Sequence, residues 1–153
     1  MATFLAAVLG ALTLLAPADA ARMVTPVTAP GSPVTLDAMK VLNADAQPLV
    51  LLYAATNTTD SPIDQFTVMV FVYDKDNNLK ARQVAPGRRE LAVRETKYSA
   101  MVLDVGKIEA TDYLMAGVDQ VQRVGSDDWW RADLRPLAEA AADALRKATP
   151  SKR

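Results

Sequence analysis

The chain has 153 residues, half of them apolar, with 17 Lys and Arg against 18 Asp and Glu, and it contains neither Cys nor His. This charge balance argues against nucleic-acid binding, which needs a basic face. The apolar fraction is too high for an intrinsically disordered chain. Without Cys or His, the chain has no Cys/His zinc site, no thiol nucleophile and no triad with a histidine base.

The first 20 residues have the pattern of a secretory signal peptide. The apolar stretch 4–15 is too short to span a bilayer as a helix. It is followed by the small-x-small sequence Ala18-Asp19-Ala20, which predicts cleavage after Ala20. We therefore expect export to the periplasm or the extracellular space and no transmembrane segment in the remaining chain. Retention of the leader as an interfacial anchor is the alternative.

Residues 21–33 contain three prolines and no apolar period, which predicts an extended lead-in that precedes the folded domain and acts as a spacer. From Val34 onwards, short apolar runs alternate with turn residues, as in an all-β domain. The predicted strands are Val34–Leu42, Leu49–Asn57, Phe66–Tyr73, Leu79–Val84, Lys97–Val105, Tyr113–Val124 and Trp129–Arg131.

The run Phe66–Tyr73 is apolar at both odd and even positions and rich in β-branched and aromatic residues. This pattern predicts a central strand that is covered on both faces. After Arg131 the period becomes helical, with apolar residues at Leu134, Leu137, Ala138, Ala141, Leu145 and Ala148.

We therefore predict an all-β fold, an immunoglobulin-like β-sandwich of six or seven strands over residues 34–131. One amphipathic C-terminal helix within residues 132–148 follows the sandwich, and residues 149–153 form a tail.

Three short sequences in this domain carry a family resemblance. Asn57-Thr58-Thr59 ends one strand, Tyr73-Asp74 ends the next, and Pro86-Gly87 follows the third. In this respect the span 52–91 resembles the FxLYD-type and related immunoglobulin-like domains of bacterial envelope proteins. The resemblance implies a non-catalytic extracytoplasmic module and transfers no active-site residues to this chain.

Trp129 and Trp130 are the first candidates for a contact with a partner. Adjacent residues on a strand point to opposite faces, so at most one of the two indoles packs inward. An exposed Trp beside Asp127 and Asp128 suits a protein hot spot or the face of a sugar. The alternative is that one indole fills the core and the other covers the root of the helix.

A cluster of basic residues provides the second candidate surface. Arg82, Arg88, Arg89 and Arg94 lie in a stretch where bases outnumber acids, and they are the candidate residues for contact with an anionic envelope partner or a lipid surface. A solvated edge that discourages strand pairing between molecules is the alternative reading of the same charges.

Neither a metal site nor a cofactor is expected. Asp74, Asp76 and Asn78 resemble the start of a calcium loop, but Leu79 and Ala85 occupy the positions that require Gly and Glu. This segment is therefore predicted to be a hairpin turn.

The function that we predict is an exported, non-enzymatic binding module of the cell envelope, whose partner is an envelope or secreted protein. The alternative is a carbohydrate- or small-ligand-binding module that uses Trp129 and Trp130. A small hydrolase using carboxylates such as Asp104 and Glu109 is a third hypothesis.

Overall fold

The computed structural model describes residues 21–42 and 48–149; the predicted signal peptide and the last four residues of the predicted tail lie outside these ranges. The described part contains nine strands and one helix. They are β1 (Arg22–Met23), β2 (Thr25–Pro26), β3 (Val34–Leu42), β4 (Leu49–Asn57), β5 (Ile63–Tyr73), β6 (Leu79–Pro86), β7 (Thr96–Leu103), β8 (Tyr113–Arg123), β9 (Trp129–Arg131) and α1 (Arg135–Ala148). No helix among these residues is long and apolar enough to cross a membrane.

The strands form two sheets that enclose one core, which confirms the predicted β-sandwich. One sheet has the order β1-β3-β4-β7, and the other has the order β2-β8-β5-β6 with β9 beside β8. The seven longer strands are thus divided as β3, β4 and β7 against β6, β5, β8 and β9. This is the division of an immunoglobulin-like sandwich in which the C-F-G sheet has gained a strand. The total is nine strands rather than six or seven because the lead-in contributes two short ones.

The lead-in is part of the sandwich, so the prediction that residues 21–33 precede the domain as a spacer is wrong. Strand β1 pairs antiparallel with β3, and β2 pairs parallel with Met115 and Ala116 of β8. Val24 and Val27 are buried at this joint. Two-residue strands are too short to show an apolar period, and proline is tolerated at a sheet edge, so the sequence pattern did not indicate this pairing.

Strand β5 is the centre of the second sheet, as its two apolar faces predict. It pairs with β6 on one side and with β8 on the other. Phe66, Val68 and Val70 face the core between the sheets, whereas Phe71 and Tyr73 face outward and are also buried. The outer face therefore needs a cover of its own.

Helix α1 provides that cover. Leu134, Ala138 and Ala142 are buried against the outer side of β5 and β8, and the small alanine side chains allow the helix to approach the sheet closely. Gly117 on β8 makes room for this layer, since a Cβ atom at that position would lie 2.2 Å from the carbonyl oxygen of Val27 and 2.9 Å from Leu134 Cδ1.

Replacing Leu134 by Ala is expected to lower the free energy of unfolding by about 2–5 kcal/mol, because it removes a buried side chain and leaves a cavity between helix and sheet. Leu137→Ala is the matched control. Leu137 lies three residues further along and is 37% exposed, so its loss should cost less than about 1 kcal/mol. Urea unfolding of both variants measures the difference, and equal losses would show that the helix is not anchored through Leu134.

Candidate functional site

Three loops meet at one end of the sandwich. We call residues 58–62, 87–95 and 124–128 the loop end. Ile63 and Leu91 exchange backbone hydrogen bonds of 2.9 and 3.0 Å, and the Val124 amide donates to the Pro62 carbonyl at 3.0 Å. The loops are therefore joined to one another and to the strand ends by backbone hydrogen bonds.

The side chain of Asn57 is the main link within the loop end, and it is fully buried. Its Nδ2 donates to the carbonyls of Ser61 at 2.9 Å and Ala92 at 3.1 Å, which belong to different loops. Its Oδ1 accepts from the amide and the hydroxyl of Thr59. An amide side chain that both donates and accepts is needed here, because the groups around it include both carbonyls and N–H donors.

Two of the four arginines in the basic cluster form ion pairs. Arg94 lies 2.9 Å from Asp60, and Arg89 lies 3.2 Å from Asp64. Their acidic partners come from a segment about 25–34 residues earlier in the chain. Exposed ion pairs of this kind contribute little to stability, but they cancel the positive field that the sequence suggested.

Arg88 is different, because it forms no ion pair with another described residue and is exposed. The pKa of nearby Glu95 is lowered mainly by the hydrogen bond from the Ala92 amide to its carboxylate, and the charges of Lys97 and Arg88 add to this effect. Glu95 therefore stays ionised in the loop, and Arg88 leaves a guanidinium group directed to solvent at the loop end.

Arg82 does not belong to this group. It lies on β6 opposite Phe71, on the outer side of the sheet that carries α1, and is exposed there. The structure thus brings Arg88, Arg89 and Arg94 together at the loop end and leaves Arg82 apart.

Trp129 and Trp130 are adjacent on β9, so their side chains point to opposite faces of the strand. Trp130 is opposite Val121, is partly buried and packs against both the core between the sheets and the apolar layer under α1. Trp129 is opposite Gln122 and is also only partly exposed. Both line a cavity of about 260 Å³ whose other walls include Arg123 and Asp128. Neither indole is a fully open platform, because each is largely covered by neighbouring residues.

The Asp74 segment is a hairpin turn, as predicted. The Asp74 carboxylate accepts the backbone N–H groups of Asp76 at 2.9 Å and Asn78 at 2.8 Å, while Asn77 takes a left-handed conformation with φ of 68°. These hydrogen bonds, chiefly those from Asn78, hold the pKa of Asp74 below its usual value. In the described ranges, no group of three or more acidic side chains is close enough to hold a metal ion.

A cavity of about 590 Å³ lies at the opposite end of the sandwich, but Arg22 and Asp112 in its wall form hydrogen bonds and an ion pair within the chain. The guanidinium of Arg22 donates to backbone carbonyls, including those of Glu109 and Asp112. The carboxylate of Asp112 pairs with Lys80 at 2.5 Å. These contacts attach the β7–β8 loop to the sandwich, so the charged groups hold the loop in place.

The outer side of the β3–β4–β7 sheet is largely apolar, and it was not among the surfaces that the sequence indicated. Two rows of directly opposed residues cross it: Lys40, Leu52 and Ala100 in one, and Asp37, Ala54 and Tyr98 in the next. Tyr98 is 76% exposed and nearby Val102 is 60% exposed. We call this surface the apolar face. Its signal was the run Leu49–Asn57, which is apolar at both odd and even positions.

No family model, curated protein or solved structure matches this chain.

Replacing Asn57 by Ala is expected to lower the free energy of unfolding by about 2–4 kcal/mol, because buried carbonyl and N–H groups of two loops lose their hydrogen-bond partner. Asn78→Ala is the control, since Asn78 is exposed and bonds only within its turn; it should cost less than about 1 kcal/mol. Chemical unfolding gives both values. A loss at Asn57 no larger than that at Asn78 would contradict its role as the link.

Proposed function

We propose that the protein is an exported, non-enzymatic binding module of the cell envelope that contacts an envelope or secreted protein through the loop end. The observation that carries this proposal is the side chain of Asn57, which joins two loops from within and leaves their charged side chains on the surface. Loops held on a rigid scaffold are where β-sandwiches usually carry their binding residues. The predicted signal peptide and the resemblance of residues 52–91 to envelope domains support the same location.

The topology adds a second argument. The loops between β4 and β5 and between β8 and β9 lie at the same end of the sandwich. In immunoglobulin variable domains, the corresponding B–C and F–G loops are part of the antigen-binding surface. A loop surface that is already ordered binds with a smaller loss of conformational entropy than a mobile one.

Arg88 is the side chain at the loop end that we expect to meet the partner. Arginine is enriched at protein interfaces and can bind a carboxylate with two parallel hydrogen bonds. Because Arg89 and Arg94 are engaged with Asp64 and Asp60, their guanidinium groups are less available. The partner surface should therefore present an acidic group opposite Arg88.

The substitution Arg88→Glu tests this proposal, with Arg82→Glu as the matched control of equal charge change at an exposed site away from the loop end. Each variant is expressed from the full-length chain with a C-terminal tag and used to capture proteins from native envelope and secreted fractions. We expect a specific partner that Arg82→Glu retains and Arg88→Glu loses. With the purified partner, Arg88→Glu should weaken binding at least about tenfold.

Two results would overturn the proposal. One is a partner that is lost equally with both variants or with neither. The other is the absence of any specific protein when both variants and the unaltered chain show the same folded circular dichroism spectrum.

A carbohydrate- or small-ligand-binding function is the second candidate, and the cavity beside Trp129 favours it. This cavity is lined by Trp129 and Trp130 together with Arg123, Ser126 and Asp128, a mixture of apolar and hydrogen-bonding groups that suits a sugar ring. Its volume of about 260 Å³ is small, so it would hold one sugar unit.

Titration with neutral and acidic oligosaccharides should change the Trp fluorescence if this second candidate is correct. Trp129→Ala removes the less embedded indole and keeps Trp130 as the reporter, and it should weaken binding by about tenfold or more. Tyr98→Ala, an exposed aromatic residue on the apolar face, is the control and should bind as the unaltered chain does. A flat titration across the panel would exclude the sugar-binding role.

A further inference from the structure

The apolar face is unusual for an antiparallel sheet in this kind of sandwich. Such a sheet normally turns polar side chains to water on the side away from the core. Here, Leu52, Ala100 and Val102 occupy that side, Ala54 lies buried between them with 4% of its surface exposed, and Tyr98 projects from it with 76% of its surface exposed. The other sheet has α1 on its outer side, but no described helix or strand packs over this one. Contiguous exposed apolar surface of this kind marks an interaction site.

We propose that the apolar face binds a second copy of this chain and forms a reversible symmetric homodimer. The reason is that the face is complementary to itself. On each strand, one of the two central rows has a large side chain and the other has a small one. Leu52 lies next to Ala54 along β4, and Ala100 lies next to Tyr98 along β7, on the same side of each strand. A large side chain in one row thus has a small counterpart in the other.

Consider a two-fold axis that lies parallel to the sheet, perpendicular to its strands and midway between the two rows. This axis brings the Lys40 row of one copy over the Asp37 row of the other copy, and the reverse. Leu52 then lies over the buried Ala54 position of the second copy, and Tyr98 faces Ala100 of the second copy. Each contact occurs twice, as symmetric interfaces require. The strands of the two copies are antiparallel, which satisfies the aligned packing that stacked sheets adopt.

The charges on the face obey the same symmetry. Lys40 belongs to the first row and Asp37 to the second, so the axis places Lys40 of one copy opposite Asp37 of the other. Both side chains are exposed, and neither forms an ion pair with a residue in the described ranges. Two symmetric ion pairs would fix the register of the dimer more than its affinity.

The size of the face indicates a weak dimer. Strand β7 has 8 residues and the face spans the three strands β3, β4 and β7, so it measures about 27 Å by about 14 Å, roughly 400 Å² in projection. This is below the ~800 Å² of accessible surface per partner that stable complexes usually bury. Dissociation in the micromolar range or weaker is therefore expected.

Sedimentation equilibrium of the protein purified from cells that express the full-length chain tests the dimer. Its mass should rise from one chain towards two between about 1 µM and about 1 mM. Asp37→Lys and Lys40→Asp each bring like charges together and should raise the dissociation constant about tenfold, whereas the double exchange should return it to within about threefold of the original value. Tyr98→Glu should abolish the dimer, and Arg82→Glu should leave it unchanged.

A chain that remains monomeric at about 1 mM overturns this inference and assigns the apolar face to a different occupant. A dimer that Tyr98→Glu leaves intact, or a double exchange that fails to recover, overturns it as well. The inference is independent of the loop end, because Arg88→Glu should leave the mass unchanged and Asp37→Lys should leave capture of a protein partner unchanged.

Discussion

The constraint on which the fold depends is that β5 is apolar on both faces. A strand of this kind can be stable only between two apolar layers, since either face would otherwise be open to water. On one side, Val68 and Val70 meet the β3–β4–β7 sheet. On the other, Phe71 and Tyr73 meet α1. The molecule is therefore built in three layers, and the helix is a necessary part of the core although its apolar stripe is mostly alanine.

The same constraint explains why no element in the described part of the chain covers the apolar face. Strand β4 is also apolar on both faces, but the described part of the chain has a single helix, and this helix packs on β5 and β8. A second molecule with the same face is a suitable cover, because it brings an apolar layer of matching shape and charge. One physical requirement, the burial of strands that are apolar on both faces, thus accounts for the helix within the chain and for the dimer proposed between chains.

The loop end follows a different principle, in which polar contacts replace apolar burial. Loops carry backbone groups that need partners, and a buried amide such as Asn57 supplies them for two loops together. The ion pairs of Arg89 and Arg94 then distribute charge over the surface without a strong net field. A surface of this type is suited to the selective contact of a particular protein rather than to general attraction by any anion.

Strand positions could be predicted closely, whereas several long-range contacts could not. Val34–Leu42, Leu49–Asn57 and Trp129–Arg131 have the predicted bounds, and Pro33, Pro48 and Asn57 mark ends of the first two. The β3 bulge at Ala38, with φ of 47°, has no local sequence signal. The Arg94–Asp60 ion pair could not be predicted from the sequence either, because no periodicity links two charges 34 residues apart.

By itself, the sequence determined the fold class, the order of the longer strands and the C-terminal helix, since alternation, turn residues and helical spacing are local properties. It also brought Trp129, Trp130, Arg88, Arg89 and Arg94 into consideration as partner-binding residues. Only the tertiary structure decided that the lead-in joins both sheets, that Arg82 lies apart from the other arginines, and that no helix in the described ranges covers one of the sheets. These features depend on which distant segments pack together, and packing is set by the burial of whole surfaces rather than by neighbours in the chain.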